Sequence, residues 1–214
     1  MTYKDISVEQ YEKISELLHT EGMDELTLQV GLISVLHNME EDYIWSKLPL
    51  DTYSEYAGEI SFLMKAPEVT GKFPKEITLN GKKYKVSLDE RKLTAGQYID
   101  YQTFTQKDQD KYFANILSCF LIPEGHNYCE GYDVTEVTED IRKYMSIEDA
   151  LNMCLAIKKK SMKLMRRTLY FLKAYLAVTM KEKKKRKEVQ RQMTELIDLF
   201  ESGVGYTKST LLRK

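Results

Sequence analysis

Ile77-Thr78-Leu79-Asn80-Gly81-Lys82-Lys83-Tyr84-Lys85-Val86 is the stretch of this 214-residue chain in which the side-chain period is two. Ile77 and Leu79 alternate with polar neighbours on one side of Asn80-Gly81, and Tyr84, Val86 and Leu88 do so on the other. Alternation marks a half-buried strand, and Asn-Gly suits a two-residue turn with positive φ at both central positions. The spacing therefore predicts a β-hairpin over about 76–88. Two strands alone are marginal in water, so helices or a neighbouring subunit must cover the hairpin.

Upstream the apolar period lengthens to three and four, the spacing of helices. Ser7-Val8-Glu9-Gln10 reads as a capping box, followed by Tyr11, Ile14, Leu17 and Leu18 on one face, with Gly22 near the end. Asp24 is placed to cap a second helix with Leu26, Val30, Ile33 and Leu36 or His37 as its stripe. Glu40 to Trp45 reads as a short helical turn. Asp51 is expected to cap a third full helix through Tyr53, Tyr56, Ala57, Ile60 and Leu63, stopped by Pro67.

Downstream, Thr94-Ala95-Gly96-Gln97 is a second capping box, with Tyr98, Tyr101 and Phe104 on one side after it. A helix is expected from Asp108 to Leu121, a turn at Pro123-Glu124-Gly125, irregular chain over 126–135, and a short helix over Glu136 to Tyr144. Ser146-Ile147-Glu148-Asp149 opens a tract free of proline and glycine to Ser202, with Ala150, Met153, Cys154, Ile157, Met162, Met165, Leu169, Leu172, Leu176 and Met180 at mixed three- and four-residue steps. Its stripe lapses at the basic run and returns at Val189, Met193, Leu196, Ile197 and Phe200, before a flexible tail from Gly203.

The fold class is thus mainly α: a helical bundle with one small β-hairpin and a long C-terminal helical tract. Three segments are expected: an acidic helical unit over 1–70, the hairpin plus helices over 71–145, and a basic helical tract with its tail over 146–214.

Formal net charge is only -1, yet the charges are sorted along the chain. Residues 1–70 hold 14 acidic and 4 basic side chains, and residues 151–214 hold 5 acidic and 17 basic. Lys181, Lys183, Lys184, Lys185, Arg186 and Lys187 surround a single Glu182. Such polarity steers association of identical subunits, or turns the basic end toward nucleic acid. The basic run has no interleaved aromatics to stack on bases, which favours protein contact over nucleic acid. Fifteen tyrosines provide side chains that are apolar and wet at once, as interfaces need.

Chemistry-bearing signatures are absent: no phosphate-binding glycine loop, HExxH, nucleophile elbow or CxxC pair occurs. His126 and Cys129, with Cys119, form the best metal candidate, but a closed zinc site needs four ligands. The expectation is a loop histidine with two half-buried thiols, and no metal or cofactor. His37 is expected at the core edge. Glu40, Glu41 and Asp42 are expected to be solvated. An odd, sparse set of three cysteines fits a reducing compartment, and neither a secretory signal nor a membrane-spanning segment is expected.

Three stretches carry a resemblance. They are Leu48-Pro49-Leu50-Asp51-Thr52-Tyr53 followed by Ile60-Ser61-Phe62-Leu63, and Leu93-Thr94-Ala95-Gly96-Gln97-Tyr98-Ile99-Asp100. The third is Ile116-Leu117-Ser118-Cys119-Phe120-Leu121-Ile122-Pro123, then Tyr128, then Tyr144 to Ala150. Over about residues 25–175 the chain resembles virion and tail-assembly proteins of tailed bacteriophages, including those of gut Bacteroides and the crAss-like phages. The resemblance implies a non-enzymatic neck or tail component of the virion, made in the host cytoplasm, with other virion or tail proteins and further copies of itself, possible as a ring, for partners. It equally allows a tail-assembly chaperone absent from the mature particle. A nucleic-acid-binding protein using the basic run is the remaining alternative. Contact residues are expected at Tyr98, Tyr101 and Phe104, at the hairpin edge near Tyr84, and along the basic run. No membrane partner is expected.

Overall fold

The computed structural model describes residues 1–106, 112–179, 191 and 194. Ser7 caps α1 (Val8–His19) through a reciprocal box: its hydroxyl accepts from the Gln10 amide, while Gln10 Oε1 accepts from the Ser7 amide. Gln10 then spends its NH2 group on the carbonyls of Val35 and Leu36, which ties α1 to the end of α2 (Glu25–His37). Asp24 caps α2 by accepting from the Leu26 and Thr27 amides, and Asn38 closes it in the left-handed conformation.

α2 is buried on two sides. Leu32 and Leu36 face the main core. Val30 and Ile33 join Ile44 in a second, smaller core, with Met39, Leu48, Tyr53 and Tyr56 packed around it. Leu26, expected on the buried stripe, is instead exposed in the first turn of the helix. The second core is roofed by α3 (Glu41–Ser46) and α4 (Leu50–Glu59), which continues as a 3-10 turn over Ile60–Met64. Pro49, not Asp51, occupies the N-cap of α4. Asp51 sits inside the first turn, where its charge still favours the helix dipole.

The hairpin consists of β1 (Glu76–Leu79) and β2 (Lys82–Val86), paired antiparallel with Leu79 opposite Lys82. Asn80 and Gly81 both have positive φ, 50° and 73°, as the turn requires. A third antiparallel strand, β3 (Leu121–Pro123), completes the order β1-β2-β3. Leu121 was expected to end a helix begun at Asp108. The helix α6 (Phe113–Ser118) stops earlier, because the Phe120 amide turns back to the Leu117 carbonyl and residues 121–123 pair with β2. Residues 108–111 lie outside the described residues.

Thr94 and Gln97 form the second capping box, opening α5 (Ala95–Thr105). α7 (Val134–Tyr144), capped by Asp133, buries Val137 and Ile141 against the sheet and α1. Arg142 donates through Nε and Nη2 to Glu12 Oε2, at 2.9 and 2.8 Å, binding α7 to α1. α8 (Ile147–Thr179) buries Ala150, Met153 and Ile157, with Cys154 half-buried. Its Asn152 accepts from the amides of Thr70 and Gly71, pinning the connection that precedes the hairpin.

Beside the start of α8, Ser7 and Ser146 form an antiparallel bridge. Around it the Val8 amide donates to the Met145 carbonyl and the Ile147 amide to the Ile6 carbonyl. The chain divides after Ile157 into two units, and the main core belongs to Met1–Ile157. That core unites side chains from both sides of residues 70 and 145. Among the described residues, no helix is long and apolar enough to cross a membrane.

α1 and α2 approach closely at Gly31, where a Cβ would lie 3.2 Å from both methyl carbons of Leu17. Gly58 in α4 has open space around it. Chemical denaturation should therefore separate two substitutions. Gly31→Val should destabilise by about 1–3 kcal/mol through overpacking, whereas Gly58→Ala should stabilise by about 0.5 kcal/mol through helix propensity.

Candidate docking surface

The residues expected to make contacts fall into three groups. Tyr84 is 1% exposed, inside the core, so it is not a contact residue at the hairpin edge. Its ring fills the space between the sheet and α7, and its hydroxyl donates to Asp140 Oδ2 at 2.5 Å. Tyr101 and Phe104 are half-buried: Tyr101 packs edge-on against Phe120 and Phe104 stacks on Tyr112. On α5 only Tyr98, with its neighbour Ile99, presents a large exposed apolar surface. Lys181, Lys183, Lys184, Lys185, Arg186 and Lys187 lie outside the described residues.

Among the described residues, three exposed large apolar side chains, Tyr43, Trp45 and Leu50, fall close together in sequence where α3 gives way to α4. Ile44 points into the second core. Its neighbours Tyr43 and Trp45, each turned about 100° from it by the helix, are 45% and 53% exposed. Leu50, the first residue of α4, is 76% exposed. The carboxylates Glu40, Glu41, Asp42, Asp51 and Glu55 of the same segment are exposed as well. Over 40–59 there are six acidic residues and one basic residue, Lys47. Trp45, the single tryptophan, was the available signal. A helix of six residues cannot turn three consecutive large side chains inward.

No family model matches this sequence, and no curated protein or solved structure is significantly similar to it.

His37, His126 and Cys119 each have a place in the packing. His37 stacks on Tyr56 at 3.8 Å between ring centroids, with Nε2 3.5 Å from Glu59. His126 contacts the Glu130 carbonyl through Nδ1 and meets Tyr132 edge-on. Cys119 is buried and Cys129 exposed. Burial above all pushes the Cys119 thiol up to about 12, away from thiolate reactivity. Tyr128 donates to Asp100 at 2.7 Å, joining the 126–132 segment to α5. Among the described residues, no three His, Cys, Asp or Glu side chains converge as metal ligands do.

The carboxylate of Asp140 is buried; it accepts from Tyr84, from Asn80 Nδ2 at 3.1 Å and lies 3.3 Å from Lys82 Nζ. Lys82 also reaches Glu136. Burial alone would raise the Asp140 carboxyl, but the hydrogen bonds from Tyr84, Asn80 and Lys82 outweigh it and the net shift is downward. A depressed carboxyl stabilises the folded state above its unfolded pKa, and that contribution is lost as pH falls through the lower folded value. Asp140→Asn should therefore cost about 1–3 kcal/mol near neutral pH. The gap to the parent protein in urea melts should narrow below about pH 4.

Proposed function

We propose that this protein is a non-catalytic assembly component that works by docking onto other polypeptides. In the setting implied by its resemblance to phage proteins, it is a neck or tail component of the virion. The observation that carries this reading is the segment from α3 into α4, where Tyr43, Trp45 and Leu50 are exposed and Glu40, Glu41, Asp42, Asp51 and Glu55 are exposed beside them in sequence. Large exposed apolar side chains among charged neighbours are the composition of a protein-binding surface. Tryptophan supplies disproportionate binding energy when a partner desolvates it. The carboxylates add steering toward a basic partner. Tyr98 and Ile99 on α5 supply a second, smaller apolar contact.

Purified particles from an infected host are expected to contain the protein at a fixed copy number by quantitative mass spectrometry. A protein abundant in the lysate but missing from particles would exclude the virion component and leave the assembly chaperone. Trp45→Ala should lower capture of virion proteins at least about tenfold. Because Trp45 is exposed, its unfolding free energy should stay within about 0.5 kcal/mol of the parent.

A further inference from the structure

The sheet has two outer edges, and its hydrogen bonds leave them unlike. In an antiparallel ladder, residues that exchange main-chain bonds alternate with residues that do not. The Val86 amide donates to the Lys75 carbonyl, and the register sets Ile77 opposite Tyr84 and Leu79 opposite Lys82. Lys75, Ile77 and Leu79 therefore bond β2, while the amides and carbonyls of Glu76 and Thr78 point away from it. On the other side of β2, the Glu124 amide donates to the Lys83 carbonyl and the Ser87 amide to the Phe120 carbonyl, the bonds that hold β3. The outer edge of β3 is closed: Pro123 has no amide, its carbonyl accepts from the His126 amide, and Leu121 is fully buried. At the outer edge of β1, no hydrogen bond from the described residues reaches the main chain of Glu76 or Thr78, and both residues are exposed. This open edge is short. Pro74, at the next outward position, lacks an amide, and beyond Leu79 the chain turns at Asn80 with φ 50°. The partner it fits is a strand with an equally short run of free groups, which a second β1 supplies.

We propose that β1 of one copy pairs antiparallel with β1 of a second copy about a two-fold axis through Ile77, joining the two sheets into one. In that register Glu76 lies opposite Thr78 of the second copy, and Thr78 opposite its Glu76. Both pairs then exchange main-chain bonds. Ile77 meets its own equivalent between them, on the face that packs against the core. On the solvent face Lys83 and Thr78 are followed across the joint by Glu76 and Lys85 of the second copy, so no like charges stand side by side. The contact is isologous and stops at two copies, because the β3 edge is closed. It goes beyond the docking function proposed above and uses none of Tyr43, Trp45 or Leu50.

Sedimentation of the full-length chain should show a monomer–dimer equilibrium at concentrations up to about 1 mM. In amide hydrogen exchange, Glu76 and Thr78 should gain at least about tenfold protection as the dimer forms, whereas Ile77 is protected in the monomer already. Thr78→Pro removes an outward amide without touching a bond to β2 and should weaken dimerisation at least about tenfold. Thr78→Glu keeps the amide but sets a second carboxylate against Glu76 of the other copy. It should weaken dimerisation about threefold to tenfold, less at high salt. Thr78→Lys sets an ammonium there and should strengthen dimerisation by a similar factor. Circular dichroism checks that each variant is folded. A chain that is monomeric throughout this range overturns the proposal, as does a dimer that neither Thr78→Pro nor Thr78→Glu weakens. Full protection of Glu76 and Thr78 in the monomer also overturns it, by showing the edge covered within one chain. So does a monomeric chain in which Thr78→Pro abolishes capture of a virion protein, which gives the edge to a foreign strand. Trp45→Ala should leave dimerisation within about twofold, so failure of the dimer and failure of the docking function are read separately.

Discussion

The main body of this protein depends on one short antiparallel contact. Ser7 and Ser146 lie opposite each other, and both open helices: Ser7 caps α1 and Ser146 accepts from the Asp149 amide at the start of α8. The flanking Ile6, Val8, Met145 and Ile147 are among the most buried side chains in the molecule. The bridge therefore anchors the core and sets the directions of two helices at once. Two positive helix ends brought together would repel, and Glu9, Glu148 and Asp149 in the first turns offset that charge.

Polar side chains buried in this body act as joints rather than as reactive groups. Gln97 completes the cap of α5 and donates to the Cys119 carbonyl at 2.8 Å, so one amide holds both a helix start and the corner before β3. Asn152 clamps the Thr70–Gly71 backbone. Asp140 gathers the hairpin turn, the Tyr84 hydroxyl and Lys82 onto α7. Each bonds at least one partner distant in the chain, which gives the core a defined arrangement. On the described surface, by contrast, Tyr43, Trp45 and Leu50 stay uncovered in a segment rich in carboxylates.

What could be read from the sequence was what local geometry decides. Ser7 with Gln10, Thr94 with Gln97, Asp24 and Asn80-Gly81 each specify their own backbone within four residues, and each appears as expected. Contacts between distant residues were not legible. β3 is three residues long, too short for a periodic signal, and exists because β2 offers it an edge. Tyr84 reads equally well as an edge aromatic until Asp140, 56 residues away, is seen to accept its hydroxyl. At α3–α4 the adjacent acids read as solvation, and the lone Trp45 is the one local sign of exposed apolar surface there.

The Ser7–Ser146 bridge also bears on how the chain comes to fold. Ile6 and Val8 are made before their backbone partners Met145 and Ile147, with α1 to α7 and β1 to β3 lying between the two. Local pieces such as α1 against α2 have what they need at once, while the body as a whole cannot close until the start of α8 emerges. The nascent chain must carry that apolar segment unpaired until residues 145–147 are made, a long window for capture by chaperones or by neighbouring nascent chains.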